Sequence, residues 1–321
     1  MNETLDCAVI GGGAAGLSAA LVLGRARRRT LVVDAGQQSN RPSHGVGGLL
    51  GHDGRDPSEL YEIGRTELDA YPSVEIVDGE VVKAKHLVES GGFEIELSDG
   101  SVRTARRLIL ATGMEYRVDD LPGLAELWGN SAFHCPFCHG WEARDGALAI
   151  RGNGDQGVHG ALMLRGWSED VTLLSDGPAD LNDEQRGKLE AAAIRVDERP
   201  LTGLRAENGD LAAIRFADGT ELERSGLMVA PRLHQRTDLA AQLGARHADP
   251  NPMAADRLVV DSFQRTTVPG VFAAGDVSGQ FPQVAAAISS GSNAAAFVVQ
   301  TLLSEDFGLP LPPALAQAAA N

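Results

Sequence analysis

A glycine-rich turn that directly follows an apolar strand occurs twice in the chain, and it constrains the fold more than any other feature. In the first copy, CAVIGGGAAG, the glycines Gly11, Gly13 and Gly16 form the pattern G-x-G-x-x-G. An Ala/Leu-rich helix follows, and then the strand TLVVD, which ends at Asp34. Such glycines permit a tight turn, close approach of the backbone to a pyrophosphate, and close packing of helix on strand, while the acid can bind ribose hydroxyls. This arrangement predicts a dinucleotide site.

The second copy lies in the middle of the chain. The segment ALAIRGNGDQGVHGALMLRGWSEDVTLL repeats strand, turn, helix and strand, with glycines at 152, 154 and 157. Apolar strands that end in small-residue turns flank this region at LILATG (108–113) and VPGVFAAGD (268–276). We therefore predict an α/β fold with two Rossmann-like dinucleotide-binding domains, the second inserted into the first.

The stretch HCPFCHGW contains the only closely spaced cysteine pair, Cys135 and Cys138. C-x-x-C-H is the attachment signature of c-type haem, a His/Cys cluster is a candidate zinc site, and C-x-x-C beside a nucleotide-binding pattern is a redox pair. Haem attachment requires an oxidising compartment, and no export signal is apparent. Zinc requires four ligands, which this short cluster supplies only with strained geometry. The residues favour the redox pair, and no metal site is predicted.

Composition and charge exclude some partners. With 43% apolar and 22% charged residues, the composition is that of an ordinary globular protein. The net charge of −16 argues against a nucleic-acid or anionic-membrane surface. We expect no membrane span, because no apolar run approaches the necessary length, and the N-terminal MNETLDCAVIGGG carries acids where a signal peptide carries Lys or Arg. We therefore expect a cytoplasmic protein with no membrane or nucleic-acid partner.

Taken in order, VIGGGAAG, ATG, C-x-x-C, the second glycine turn and GVFAAGD followed by Gln283 resemble the low-molecular-weight thioredoxin reductases over nearly the whole chain. The resemblance implies a flavoprotein, usually a homodimer, with an FAD-binding domain over residues 1–115 and 245–321. A central NAD(P)H-binding-like domain over residues 116–244 would carry the cysteine pair. Cys138 would be the sulfur nearest the flavin, and Cys135 would exchange with substrate.

The resemblance also implies which residues hold FAD. The first turn would bind the pyrophosphate, Asp34 the adenosine ribose, and Val81 the adenine through its backbone. Asp276 would bond to the ribityl chain, and Gln283 and Val284 would face the pyrimidine end of the flavin from a helix N-terminus. The predicted set is Gly11, Gly13, Ala14, Ala15, Gly16, Asp34, Ala35, Gly36, Arg41, Val81, Ala111, Thr112, Gly113, Gly275, Asp276, Gln283 and Val284.

Two departures from the reductase pattern affect the predicted function. His139 follows the second cysteine where reductases typically have an acid; it is either a base that stabilises a thiolate or a spacer. After VTLL, the second unit has Ser175 and Asp176 where NADPH-dependent members have basic residues. Asp176 would repel a 2′-phosphate, although it could bond to the 2′-hydroxyl of NADH. These features leave NAD(P)H doubtful as a cofactor.

Together, CPFCHGWE and a non-basic second site resemble the FAD-dependent dithiol oxidases that close disulfides in small natural products of the holomycin, gliotoxin and romidepsin kind. This resemblance implies a small-molecule dithiol as substrate and O2 as electron acceptor. The alternatives are an NAD(P)H-dependent reductase of disulfides, which would act on a thioredoxin-like protein, a reductase with another electron donor, and a flavin-binding redox sensor or inactive scaffold. Pro136, Phe137 and Trp141 would suit a compact apolar dithiol. The segment GVGGLLGHDG (45–54) is either a mobile loop near the flavin or a permissive connection.

Overall fold

A computed structural model describes residues 4–88, 91–118, 120–279 and 281–313. The chain forms two compact units. Unit 1 comprises Met1–Ser39, Ser58–Tyr116 and Leu233–Asn321, and unit 2 comprises Asn40–Pro57 and Arg117–Arg232. The second unit is therefore inserted into the first, as predicted.

Unit 1 is built on a mixed sheet. Its strands and helices are β1 (Leu5–Ile10), α1 (Ala14–Arg25), β2 (Thr30–Asp34), α2 (Pro57–Leu68), β3 (Val74–Asp78), β4 (Val81–His86), β5 (Phe93–Leu97), β6 (Val102–Leu110), β7 (Met114–Arg117), and, after unit 2, β16 (Arg232–Gln235), α7 (Leu239–Leu243), β17 (Val271–Ala273) and α8 (Val284–Phe307). The order β3-β2-β1-β6 is parallel, and β17 extends it along the second half of β6. The first half of β6 pairs with β5 in an antiparallel meander that continues to β4. All residues of β2 are buried, as is usual inside a parallel sheet, and its three central residues, Leu31, Val32 and Val33, are apolar.

The helices α1 and α8 pack closely in unit 1 because small residues face each other. A Cβ atom at Gly291 of α8 would lie 2.0 Å from the carbonyl oxygen of Ala15. Contrary to expectation, α8 is long and apolar enough to cross a membrane. That is weak evidence for a span, since core helices of soluble proteins meet the same criterion, and α8 buries Phe297, Val298 and Leu302 in the core of unit 1.

Unit 2 contains a second parallel sheet and a small antiparallel one. Its elements are α3 (Leu124–Leu127), β8 (Ala132–Phe133), α4 (Pro136–Ala143), β9 (Leu148–Arg151), α5 (Gly154–Leu164), β10 (Val171–Leu174), α6 (Asp183–Ala191), β11 (Arg195–Asp197), β12 (Leu201–Glu207), β13 (Asp210–Phe216), β14 (Glu221–Glu223) and β15 (Gly226–Val229). The parallel order is β11-β10-β9-β15-β8, and β12, β13 and β14 form the antiparallel sheet. Asn208 and Gly209 both have positive φ, as the tight turn between β12 and β13 requires.

The boundaries of the units differ from those predicted. Residues 233–244 belong to unit 1 because Leu239 and Leu243 of α7 are buried in its core, and the Gln242 side chain accepts a 2.8 Å hydrogen bond from the backbone N–H of Ala84 in β4. Residues 40–57, which were expected in the first domain, belong to unit 2. In this segment, Val46 and Arg55 form an antiparallel bridge that closes the glycine-rich loop between them.

Candidate active site

The redox pair lies at the N-terminus of α4 in unit 2. Cys135 is the N-cap residue, Pro136 occupies the first helical position, and the backbone N–H of Cys138 donates to the Cys135 carbonyl at 3.2 Å. Proline is well suited to this position because its fixed φ starts a helix and its missing N–H would have no partner there. The local sequence therefore brings the Sγ atoms of the two cysteines to 2.6 Å from each other. The pair is placed for thiol–disulfide chemistry.

The surroundings of Cys135 lower the pKa of its thiol. The Cys138 S–H group, as hydrogen-bond donor, holds the pKa of Cys135 below its usual value, and the backbone N–H groups of Cys138 and Phe137 act in the same direction against the effect of burial. Cys7 is the contrast, because complete burial in β1 raises its pKa. Only the paired cysteines are therefore suited to exchange.

The ring of His139 lies between an aromatic residue and the 40–57 segment. It stacks on Phe133 with 5.7 Å between ring centroids, and its Nε2 atom lies 3.2 Å from the Ser43 hydroxyl oxygen. Burial lowers the pKa of His139, although the carbonyl groups of Cys135 and Gly129 oppose this. The ring is therefore largely neutral near pH 7, as a proton acceptor must be.

His134, which precedes the pair, is more strongly affected. Burial lowers its pKa to about 4, and the nearby His139 acts in the same direction. Its ring stacks on Trp128 at 5.8 Å. His134 is therefore neutral near pH 7 and contributes no charge beside the cysteines.

The glycine-rich segment 40–57 packs against the redox helix within unit 2. A Cβ atom at Gly47 would lie 2.6 Å from the Cys138 carbonyl oxygen, so only glycine permits this approach. Ser43 and Gly47 were not predicted as candidate site residues, since the run of glycines is the one signal that the sequence of this segment offers. Arg41 also lies in unit 2, whereas the other predicted cofactor residues belong to unit 1.

In unit 1, the first glycine turn is as tight as the pattern predicts. Gly11 has φ +116°, and a Cβ atom there would lie 2.1 Å from the Ala111 carbonyl oxygen at the end of β6. A Cβ atom at Gly16 would lie 1.8 Å from the Gly11 carbonyl oxygen. The turn thus joins the predicted residues Gly11 and Ala111, and Thr112 and Gly113 continue the chain from there.

The N-terminus of α1 is open. Gly13 is its N-cap residue, and among the described residues no side chain caps it and no acid lies in the first turn, which begins with Ala14 and Ala15. A Cβ atom at Gly13 would meet only the Gln38 side chain, at 3.6 Å. Backbone N–H groups and the positive end of the helix dipole are therefore available to an anion.

The carboxylate of Asp34 ends β2 and has several partners within unit 1. Its Oδ1 atom accepts hydrogen bonds from the backbone N–H of Gly36 at 2.9 Å and from Gln38 at 3.1 Å, and Arg65 donates to Oδ2 at 2.9 Å. The small residue Ala35 follows directly. Gln38 and Arg65 were not predicted as partners of Asp34. Arg65 lies in α2, and only the fold brings this helix to the end of β2.

Two further predicted cofactor positions follow β17. The Gly275 backbone N–H donates to the Ser290 hydroxyl oxygen at 2.9 Å, and Tyr116 donates to the Asp276 carboxylate at 3.0 Å. Burial raises the pKa of Asp276, which the Tyr116 hydrogen bond and the charge of Arg236 partly oppose. A further hydrogen-bond donor, such as a hydroxyl group, would stabilise the ionised form of this carboxylate.

The N-terminus of α8 and the start of β4 complete the predicted set. Gln283 is the N-cap residue before Val284, and no described side chain caps this helix. The side chain of Val81 is buried in the core of unit 1, so it can reach a ligand only through its backbone.

Comparison with known proteins identifies the family. The sequence profile described as "Pyridine nucleotide-disulphide oxidoreductase" matches residues 5–291. The chain belongs to the pyridine nucleotide-disulphide oxidoreductase family. It is 34% identical over 312 residues to "Thioredoxin reductase tcpT" of Claviceps purpurea, covering 95% of this chain and 96% of the relative.

Solved structures of this family are similar over the whole fold. An oxidoreductase from Agrobacterium tumefaciens superposes with a TM-score of 0.88 at 36% identity, covering 94% of this chain and 99% of the other. HlmI superposes with a TM-score of 0.89 at 36% identity, covering 96% of this chain and 95% of the other. The protein is therefore a flavin-dependent disulfide oxidoreductase with the thioredoxin reductase-like fold, and FAD is the cofactor of these enzymes.

The residues of the first turn fit FAD. The open N-terminus of α1 suits a pyrophosphate, and the turn has no room for larger side chains at Gly11 and Gly16. Among the described residues, no group of three His, Cys, Asp or Glu side chains comes together as a metal site would require.

The second glycine turn, in unit 2, has the family's pattern but a different occupant. Asn153 is the N-cap residue of α5, and its Oδ1 atom accepts hydrogen bonds from the backbone N–H groups of Gly154 at 2.9 Å and Asp180 at 2.8 Å. Its amide donates to the Pro178 carbonyl oxygen at 3.0 Å. Asp155 lies in the first turn and accepts from Gln185 at 2.6 Å. The Asn153 oxygen thus satisfies the first backbone N–H group of α5, and Asp155 adds a negative charge in the same turn.

Asp176, the residue expected to select between nucleotides, is engaged within unit 2. Arg151 donates to its Oδ2 atom from Nη2 at 2.7 Å and from Nε at 3.0 Å, and the backbone N–H of Leu201 donates to Oδ1 at 2.7 Å. The charge of Arg151, at the end of β9, is therefore paired with that of Asp176. The sequence showed the acid but not its partner.

The three apolar residues that were expected to receive a substrate differ in solvent exposure. Pro136 is buried, whereas Phe137 and Trp141 of α4 are 65% and 68% exposed. Phe137 meets the edge of Trp167 at 5.3 Å, and Arg144 lies 4.0 Å above the Trp141 ring. Of these three residues, the two aromatic ones are accessible to a substrate.

Proposed function

We propose that the protein oxidises a small-molecule dithiol to its cyclic disulfide, with FAD as cofactor and O2 as electron acceptor. The observation that carries this proposal is the second glycine turn, where the Asn153 oxygen accepts the first N–H of α5 and Asp155 adds negative charge, in the same unit as the redox pair. An oxidase of this kind needs the pair and FAD but no nicotinamide.

The closed turn disfavours a nicotinamide nucleotide in two ways. A phosphate at the N-terminus of α5 would have to displace the Asn153 oxygen and approach Asp155, which is also negative. A 2′-hydroxyl or 2′-phosphate would have to compete with Arg151 and Leu201 for Asp176. Each lost hydrogen bond to a charged group costs about 1.5–3 kcal/mol, which weakens nucleotide binding.

The first half-reaction uses only thiol exchange. A substrate thiolate attacks the Cys135 sulfur of the disulfide, and the Cys135–Cys138 bond breaks with its electron pair on Cys138. The second substrate thiolate then attacks the substrate sulfur of the mixed disulfide, and Cys135 leaves as thiolate. The lowered pKa of Cys135 favours this departure, because a more acidic thiol is a better leaving group.

The second half-reaction restores the disulfide. FAD held at the first glycine turn would supply the redox chemistry of this step: the reduced cysteine pair would lose two electrons and two protons, and O2 would gain them as hydrogen peroxide. The chain contributes the N-terminus of α4, which stabilises thiolate at Cys135, and His139, which is neutral and can take a thiol proton.

The test is the yield of peroxide. Purified holoenzyme with dithiothreitol and air should form one hydrogen peroxide per disulfide without added nicotinamide. Cys135→Ser and Cys138→Ser should retain FAD and lose this turnover. Cys7→Ala, which removes the buried thiol of β1, is the matched control and should retain it. Undiminished peroxide formation by both paired-cysteine variants would refute the proposal.

A second candidate is an NAD(P)H-dependent reductase that acts on a disulfide, for example in a thioredoxin-like protein. The name of the Claviceps relative and the three glycines of the second turn favour it. It requires NADPH or NADH to reduce the flavin, which the oxidase does not. A flavin-binding redox sensor would show flavin reduction without multiple turnovers.

The cytoplasmic location, the homodimer and the roles predicted for individual FAD-binding residues are further parts of this proposal. Size-exclusion chromatography with light scattering measures the assembly directly. A monomeric, active protein would remove the homodimer from the proposal.

A further inference from the structure

We infer that Ser43 is a positioning residue for the redox pair: its hydroxyl group holds His139 in the tautomer that keeps Nδ1 unprotonated and able to accept a thiol proton. This inference rests on the proposed function, in which substrate thiols must lose their protons before they attack the disulfide. The S–H bond breaks, the proton passes to Nδ1, and the thiolate attacks Cys135 while Cys138 receives the electron pair.

The hydrogen bonds of Ser43 determine the tautomer. The Ser43 oxygen lies 2.8 Å from the Gly45 carbonyl oxygen, which can only accept, so the single hydroxyl hydrogen is donated there. The same oxygen lies 3.2 Å from Nε2 of His139. Since the hydroxyl hydrogen is already used, Nε2 must be the donor in this second contact. The neutral ring therefore carries its hydrogen on Nε2 and a lone pair on Nδ1.

The other ring nitrogen, Nδ1, keeps its lone pair. Nδ1 of His139 is buried and has no hydrogen-bond partner among the described residues. Stacking on Phe133 and the contact with Ser43 fix the ring from its face and from one edge. The Cys135 and Gly129 carbonyl groups favour the protonated ring, and this stabilises the imidazolium that proton uptake would form.

Ser43 itself is held rigidly. Its backbone N–H donates to the Asn40 carbonyl oxygen at 3.0 Å, and its side chain is buried. Pro42, which precedes Ser43, packs closely on Gly129, which has φ +84°. A Cβ atom at position 129 would lie 2.9 Å from the Pro42 carbonyl carbon. The loop that presents Ser43 to the ring also places Gly47 against Cys138. One segment thus contacts both the base and the cysteine pair.

Several titratable groups influence His139. Glu142 on α4 raises the pKa of His139, and His44 in the loop lowers it, while burial has the largest lowering effect. His134 is neutral near pH 7 and therefore adds no charge in the working range. A change in the pH profile that is specific to Ser43 can be separated from these groups, since Ser43→Ala alters no charge.

The test compares Ser43→Ala with Ser43→Thr in anaerobic flavin reduction by dithiothreitol. Ser43→Ala should slow reduction about tenfold, less than the ~10²–10⁴-fold expected for loss of the base itself in His139→Gln. Its acid limb should move to lower pH, because the imidazolium loses an acceptor and the pKa of His139 falls. Ser43→Thr keeps the hydroxyl and should restore both properties. An unmoved acid limb in Ser43→Ala would overturn the inference.

A measurement on the resting holoenzyme is independent of activity. With ¹⁵N-histidine labelling and His139→Gln for assignment, the ring shifts should report hydrogen on Nε2 in the wild type and a mixture of tautomers in Ser43→Ala. Hydrogen on Nδ1 in the wild type would overturn the inference even if the enzyme oxidises dithiols. A confirmed Nε2–H tautomer in a protein that dithiols fail to reduce would instead refute the proposed function.

Discussion

The two glycine turns have the same pattern, and each follows a strand that pairs in parallel within its own sheet, but the helices that follow the turns differ at their N-termini. In unit 1, α1 begins after the second glycine of the pattern, and its N-cap residue Gly13 has no side chain. In unit 2, α5 begins one residue earlier relative to the pattern, so that Asn153 becomes the N-cap and its side chain accepts the N–H of Gly154. The glycines therefore specify the local fold, while the N-cap residue decides whether an anion can bind there.

Closing the open turn should have the largest effect. Gly13→Asn would give α1 the side-chain cap that α5 has, in a backbone conformation that asparagine adopts readily. With two charge-assisted hydrogen bonds lost to the pyrophosphate, FAD should bind roughly a hundredfold more weakly, while the apoprotein gains about 1 kcal/mol from the cap. The flavin absorbance that the purified variant retains measures FAD binding, and thermal unfolding of the apoprotein measures its stability. Full FAD retention would contradict the comparison.

Breaking the Arg151–Asp176 pair should have the next largest effect, on stability. Asp176→Ala leaves the partly buried Arg151 without its partner and the Leu201 N–H without an acceptor. We expect the free energy of unfolding of the protein to fall by about 2–3 kcal/mol, measured by urea denaturation. Asp176→Asn, which keeps an acceptor for Leu201, should lose about half as much. If Asp176→Ala is neutral and instead weakens NADH binding, the residue is a nucleotide ligand.

Opening the closed turn should have a smaller effect. Asn153→Gly removes the hydrogen bonds to Gly154, Asp180 and Pro178 and should cost about 1 kcal/mol of stability without loss of FAD. Isothermal titration with NADH should show no tight binding in the variant, because Asp155 remains at the helix N-terminus. Tight binding that appears with this single change would show that Asn153 alone closes the site.

The N-terminus of α4 differs from those of α1 and α5, because the anion that it favours is a thiolate of the protein, that of Cys135. Alkylation of the reduced protein with iodoacetamide should reach half its maximal rate at Cys135 below the pH of an ordinary thiol, because the pKa of Cys135 is lowered. Cys138→Ala removes the donated S–H and should move this midpoint to higher pH. Peptide mass spectrometry follows the reaction, and the buried Cys7 should stay unmodified. An unshifted midpoint would remove Cys138 as the cause.

Local pattern was sufficient to predict much of the fold. Both glycine turns and the insertion of one unit in the other follow from short sequence windows, because strand, turn and helix preferences act within a few residues. The boundaries at 233 and around 40–57 were not predicted, since they depend on packing between distant segments such as Leu239 in the core near β4.

The candidate site was predicted less completely, for the same reason. The cysteine pair and the first turn are contiguous in sequence, whereas Ser43 and His139 are 96 positions apart, and Arg151 and Asp176 are 25 apart. No pattern in one sequence indicates that such residues meet. The sequence indicated a nucleotide site impaired by a missing basic residue, while the structure adds the Asn153 cap and the neutralised arginine.

The central claim is that dithiols, and not nicotinamides, supply electrons to this protein. The direct test is to mix the purified flavoprotein without oxygen, separately with NADPH, NADH and dithiothreitol, and to follow the visible absorption of the flavin. The account predicts bleaching by the dithiol alone, with the colour restored when air is admitted. Rapid bleaching by NADPH or NADH, with little effect of the dithiol, would contradict it.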